Sequence, residues 1–404
     1  MPTRIAYVGP VWIALVFLLV GCSQQKDDPR RAVIETYADI ALATYEDCIE
    51  TARALDRAVD ELIADPSERT LEAARASWKA ARIPYGYSEA FRFYGGPIDN
   101  EENGPEPRLN GWPLDENHID AVQLDAYHAA PGANIIGNVT QFPEITPELV
   151  AAQNEAGGEK NIASGYHAIE FLLWGQDFNT PPESAGQRPY TDFVAMGANA
   201  TTNARRGQYL KAAMTLLIQD LEGVAAQWRQ PAAGQTNYRA SLISGDVPTA
   251  LKRMFTGGAA LAEVEMAGER MNVPLLSSDQ EEEQSCFSDT TSADLRANAA
   301  GVEHVYYGQY TRLDGTIVSG PSLADLVKEK DERVAQEVDA RIEKARAALG
   351  AIQTPFDREI HSDNAEGQAR VQAAIDALRA EALSLTRAAH AVQIFLSDLQ
   401  SLGD

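Results

Sequence analysis

The sequence predicts an all-α protein made of two helical-bundle domains packed together. Three observations predict it. Apolar residues recur at helical spacing over most of the chain. Segments rich in Ala, Leu, Glu and Arg dominate, and runs of β-branched residues are few. A Pro/Gly/Asn stretch from Pro231 to Asn237 separates two such regions, which sets bundles over residues 31–232 and 233–404.

Residues 1–21 read as a processing segment. Arg4 supplies a weak basic start, and Val11 to Gly21 is an apolar run too short to span a bilayer. Leu19-Val20-Gly21-Cys22 resembles a bacterial lipobox, in which the cysteine is lipidated and becomes the mature N-terminus. Ser23 after the cysteine resembles lipoproteins sent to the outer membrane. Residues 22–30 then form a polar tether. The expected location is the bacterial cell envelope, on the periplasmic side, with the membrane reached through the lipid anchor only.

Arg31 to Asp65 carries Val33, Tyr37, Ile40, Tyr45, Ala52, Leu55, Val59 and Leu62 at helical spacing. Pro66-Ser67 breaks it. A second helix runs through Trp78 to Ile83, where Pro84 kinks or restarts it. Residues 95–118 form a long Gly/Pro/Asn-rich loop, a length associated with function or disorder. Helices are expected at 147–155, around Asn161 to Gly175, from Tyr190 or Asp192 to Trp228, and at 246–271, 290–309, 321–348 and 367–399. A polar stretch covers 272–288, and a strand-like turn runs from Thr311 to Val318.

The formal net charge of the 404-residue chain is −25, with a pI near 4.6. Removing residues 1–21 takes away Arg4 and leaves a charge near −26. Such a surface repels nucleic acid and does not favour anionic membranes; it suits cations, or simply solubility. Cys48 and Cys286 remain after processing. A disulfide and two separate thiols are equally open in an oxidising compartment. CxxC and Cys/His zinc patterns are absent.

Four stretches carry candidate chemistry. In Gly165-Tyr166-His167-Ala168-Ile169-Glu170 an imidazole and a carboxylate share a helical face at i,i+3 within an apolar helix. That spacing suits metal ligation inside a bundle, but taken alone so short a pattern reads first as a buried His–Glu hydrogen bond that locks the core. In Trp78 to Tyr94, Glu89 offers a further carboxylate and Arg92 a group to orient it or bind an anion; an i,i+3 ion pair is the alternative. In Gly111 to Asp120, Asp115 reads first as a helix N-cap and second as a hard metal ligand. In Asp279 to Thr291, the acidic run reads as a solvated loop, with Ser288 or Asp289 as the cap of the next helix. Cys286 has no activating partner in sequence. His118, His128, His304, His361 and His390 lack a second ligand at helical spacing and read as structural or surface residues.

Together these motifs, GYHAIEFLLWG, WKAARIPYGYSEAFRFYGGPID, NGWPLDENHID and EEEQSCFSDTT, resemble the imelysin-like family in its iron-regulated protein A branch. The resemblance covers nearly all of the mature chain. It implies an all-helical fold of two bundle-like domains with a site near their interface, and a role in bacterial iron acquisition. Carried over by position, Gly165, His167 and Glu170 are the motif residues, and Glu89, Arg92, Asp115, Ser285 and Asp289 are candidates for the surrounding site. The expected metal ligands are His167, Glu170 and Glu89. The expected ligand is iron or another divalent metal, as a bare ion or an iron chelate, with partner proteins of an iron-uptake system. The family's name comes from a peptidase activity, so the alternative is a zinc metallopeptidase using the HxxE pair. Binding is preferred, because a catalytic zinc normally takes three protein ligands and a local motif specifies only two.

Overall fold

A computed structural model describes residues 28–123, 134–178, 185–397 and 399–402. Cys22, with the rest of the proposed leader, and His128 lie outside the described residues. The fold is of the all-α class as expected, with a short two-stranded ribbon. Among the described residues no helix is long and apolar enough to cross a membrane.

The first group of helices is α1 (Arg31–Ala64), α2 (Glu68–Ser88), the short α3 (Glu106–Asn110), α4 (Glu116–Ile119) and α5 (Pro147–Gln153), the central α6 (Gly165–Trp174), and α7 (Ala200–Trp228). α1 packs on α2 and α7, and α6 sits against α2, α3 and α7. Ser67 caps α2, its hydroxyl accepting from the Thr70 backbone N–H in a capping box. Pro84 does not restart the helix. α2 runs through it to Ser88 and tightens into a 3₁₀ turn over Glu89–Phe91.

The second group is α8 (Tyr238–Ser244), α9 (Val247–Ala260), α10 (Val273–Ser277), α11 (Thr291–Tyr307), α12 (Leu323–Lys330), α13 (Glu332–Ala351), α14 (Phe356–Ile360) and α15 (Ala365–Ala391). A π-helical segment, Leu261–Asn272, joins α9 to α10. The helix expected over 321–348 is two. Asp331 ends α12 and caps α13 with its side chain, so one residue serves both termini. β1 (Gln309–Thr311) and β2 (Ile317–Ser319) pair antiparallel, with Tyr310 opposite Val318. α13 packs on α15, and α15 on α9 and the π-helical segment.

The two groups meet where α11 lies along α2. Gly301 on α11 allows this approach, since any Cβ there would collide with the Tyr87 carbonyl oxygen. One apolar core runs through both groups, from Tyr37, Trp78 and Leu172 to Leu295, Val338 and Leu378. Cys48 and Cys286 are free thiols, the first buried and the second half-buried.

Candidate functional site

All ten residues of α6 are buried, so its polar side chains must find partners within the protein. Gly165 opens the helix with φ +84°, and a Cβ there would lie 2.5 Å from the Leu109 carbonyl oxygen. Only glycine satisfies both demands, so this motif position sets the entry of α6 over α3 and not the chemistry. The side chains one turn on face each other. His167 Nδ1 lies 2.8 Å from Glu170 Oε2, and the Ser288 backbone N–H donates to Glu170 Oε1 at 2.9 Å. Both Glu170 oxygens are therefore engaged, while His167 Nε2 is buried without a hydrogen-bond partner.

His167 borders a small cavity with Trp112, Leu114, Glu283, Gln284 and Cys286. Its volume of about 10 Å³ for a water-sized occupant corresponds to roughly one water or ion. Burial, then the charges of Arg82 and Arg270, hold the imidazole neutral, well below its usual range. Burial pushes Glu170 up to about 8, against the Ser288 bond and Arg82.

Glu89 and Arg92 belong to a different cluster. Glu89 Oε2 accepts from Arg92 Nη1 at 2.8 Å and from Arg270 Nη2 at 2.6 Å. Arg270 Nε donates to Glu265 Oε1 at 2.9 Å, and Arg92 pairs with Glu106 at 3.1 Å. Burial alone would raise Glu89, but Arg92 and Arg270 overcome it and bring it to about 2. A carboxylate held by two guanidinium groups is a poor partner for a metal. His167, Glu170 and Glu89 do not present three ligand atoms within reach of one ion, and Glu89 is set apart from the site by its arginines.

Ser285 donates its hydroxyl to Asp294 at 2.6 Å, and Asp294 takes a two-pronged contact from Arg82 at 3.2 and 3.1 Å. Asp115 is the N-cap of α4, accepting from the Asn117 N–H at 3.0 Å. Neither Ser288 nor Asp289 caps α11: its N-cap is Thr290, which makes no capping side-chain bond.

The acidic run is not a solvated loop. Glu283 turns inward and is 2% exposed, with both oxygens lacking a hydrogen-bond partner. Asp289 joins Asp177 and Asp357, each offering an oxygen within 4.8 Å of the others. Among the described residues this is the one group of three metal-type ligands so placed. Burial and mutual repulsion push Asp289 up to about 7 and Asp357 to about 6, and raise Glu283 well above the usual carboxylate range.

Residues 41–385 match the family model described as Imelysin. The chain belongs to the imelysin family. Iron-regulated protein A of Synechococcus elongatus is 25% identical to this imelysin over 400 residues, covering 96% of the chain and 95% of that relative. Two crystal structures share its fold. One, from Parabacteroides distasonis, is described as an iron-regulated protein A precursor; it has a TM-score of 0.68, 20% identity, and coverage of 90% of this chain and 95% of that one. The other is an imelysin-like protein from Psychrobacter arcticum, with a TM-score of 0.63, 16% identity, and coverage of 92% and 99%.

Sequence reasoning missed Asp177, Glu283, Asp357, Arg82, Asp294 and Arg270 in this imelysin. Asp177 follows two residues after the α6 stop at Gly175, which is its only local signal. Three of the described histidines are held by contacts outside this site. His118 bonds the Gln153 carbonyl at 2.9 Å, His304 packs edge-on against Tyr87 and Tyr310, and His361 meets Asp363 at 2.7 Å. Cys286 is raised well above the usual thiol range by burial and then by Glu281 and Glu170, which leaves it a poor nucleophile.

Proposed function

We propose that this imelysin binds a metal ion through His167 Nε2, with Glu283 as the second side chain of the same cavity, as part of iron handling in the cell envelope. The observation that carries this reading is the buried His167 Nε2 without a partner, beside an equally unpartnered Glu283. The residues fit a metal. The imidazole is neutral, which is its ligating form. Where Glu170 is ionised, which burial delays to about pH 8 unless a cation is close by, Nδ1 donates to it and the lone pair is left on Nε2, so that the ionised Glu170 would orient a ligating histidine. Imidazole with carboxylate oxygen suits iron and zinc alike. A relative is named for its regulation by iron, which favours iron as the cargo. The cavity admits an ion and is too small for a peptide bond, so binding is preferred to zinc-dependent hydrolysis.

The reading includes export and lipid anchoring through Cys22, with the acidic domain held at the membrane surface. Titration of the untagged mature protein with Fe(II), Fe(III) and Zn(II), beside His167→Ala and Glu170→Gln, tests it. Loss of His167 should abolish binding at this site, and loss of Glu170 should weaken it about 10–100-fold. Wild-type protein that takes up none of these ions above background sinks the proposal. Zinc-dependent proteolysis lost in His167→Ala would replace it with the peptidase reading. Cys22→Ala should move the protein from the membrane to the soluble fraction.

A further inference from the structure

We propose that Gln284 sets the ion charge that the His167 cavity accepts, its neutral carboxamide selecting a divalent ion against a trivalent one. The inference rests on the metal-binding reading above and deepens it, because it makes the cargo ferrous and not ferric iron. Gln284 is 3% exposed, and both ends of its carboxamide, Oε1 and Nε2, are buried without a hydrogen-bond partner. It borders the same cavity as His167 and Glu283, whose own unpartnered atoms are His167 Nε2 and the two Glu283 oxygens. Buried carboxamides in folded proteins are normally hydrogen-bonded, so one with neither end satisfied, beside these atoms, points to an occupant of the cavity.

The charge of the wall decides what that occupant is. Glu281, Glu282 and Glu283 run consecutively, and the first and third border the cavity. The run stops at Gln284, which borders it too. Two carboxylates balance one divalent ion, while the carboxamide and the imidazole add an oxygen and a nitrogen donor without charge. A trivalent ion asks for a third negative ligand, and Gln284 is the position where a side chain of the same shape would supply it. Glu170 stands behind the imidazole, bonded to Nδ1, and there the charge of Arg82 opposes its own.

A structural role is the competing account. A carboxamide holds a turn through hydrogen bonds, and Gln284 makes none. Its neighbours hold the turn instead. The Ser285 N–H donates to Thr291 Oγ1 at 2.9 Å, the Ser285 hydroxyl donates to Asp294 at 2.6 Å, and the Phe287 carbonyl accepts from the Gly186 N–H at 2.9 Å. An apolar side chain of similar shape at 284 therefore removes the donor and leaves the turn in place. Cys286 also borders the cavity, and a thiolate there would supply charge from another residue, so it needs a control of its own.

Zn(II) and Ga(III) are the probes, because both are redox-inert and close in size and differ chiefly in charge. The full mature chain is stripped with chelator and titrated with each ion in a nitrilotriacetate buffer, with anaerobic Fe(II) beside Zn(II). The proteins are wild type, His167→Ala, Gln284→Met, Gln284→Glu and Cys286→Ser. Wild type should prefer Zn(II) and Fe(II) to Ga(III). Gln284→Met should melt no lower than wild type in chelator and bind Zn(II) about tenfold more weakly. Gln284→Glu should move the affinity ratio at least about tenfold towards Ga(III), and Cys286→Ser should leave that ratio unchanged. A wild type that takes up neither Zn(II) nor Fe(II) sinks the metal-binding reading and this inference with it. Binding that is lost in His167→Ala but indifferent to Gln284→Met overturns this inference alone, as does a ratio unmoved in Gln284→Glu or a wild type that prefers Ga(III). A ratio that moves as far in Cys286→Ser assigns the selection to the thiol, and a Gln284→Met that melts well below wild type in chelator assigns the carboxamide to the fold; either result overturns it too.

Discussion

Two buried acidic clusters in this imelysin have opposite electrostatics. Around Glu89, every acid meets an arginine: Arg92 and Arg270 hold Glu89, Arg270 also holds Glu265, and Arg92 also holds Glu106. Around Glu283, acids meet mainly other acids, and Asp289, Asp357 and Glu283 are all raised. Both clusters come from distant segments, and both are largely enclosed. In the first, guanidinium charge matches the acids, which favours a structural role. In the second, burial and acid–acid repulsion hold the carboxylates towards their protonated forms. Burial of a carboxylate thus says little about function by itself; the nature of its nearest partner decides.

The largest expected effect lies in the closed cluster. Arg270 is fully buried, and its guanidinium binds Glu89, Glu265 and Asn298. Arg270→Met leaves two buried carboxylates with less countercharge and should cost about 3–5 kcal/mol. Urea unfolding measures it. A loss under about 1 kcal/mol would mean that water or Arg92 takes over the pairing, and the contrast between the clusters would break.

Glu381 is the control for burial without any cluster. It is 2% exposed in α15, and burial, with a smaller push from Glu303, raises it from 4.5 to about 8. The sign follows from linkage. The folded state holds this proton up to a higher pH than the unfolded state, so stability is greatest below about pH 4.5 and falls as pH rises to 8. Glu381→Gln should therefore stabilise the protein at pH 8, by up to about 4 kcal/mol, and do nothing at pH 4. Equal effects at both values would show that the carboxyl is not protonated in the fold.

The helices were legible because the apolar spacing of α1, α2 and α7 repeats over many turns. The exceptions have local causes. Asp331 divides α12 from α13 by capping, which periodicity does not register, and Pro84 is tolerated in the last turns of α2. His167 and Glu170 were legible because their contact is made within one helix. What each oxygen touches was not, since the Ser288 N–H arrives from 118 residues away. Asp289 was reached only through its motif. Asp177 and Asp357 have no periodic signature, and tertiary folding alone brings them to it. Glu89 shows the reverse: its local pairing with Arg92 was visible, while Arg270, from a π-helical stretch 181 residues on, removed it from the metal site.

The smallest effect tests the open cluster from the stability side. Asp357→Asn keeps the shape of the side chain and the acceptor for the Arg358 N–H, and removes one charge from a site where Asp177 and Glu283 repel it. In chelator at neutral pH the variant should be more stable than wild type by about 1 kcal/mol, opposite in sign to Arg270→Met. A variant less stable than wild type in chelator would mean that the repulsion is already relieved within the protein. The two clusters would then differ in composition but not in kind.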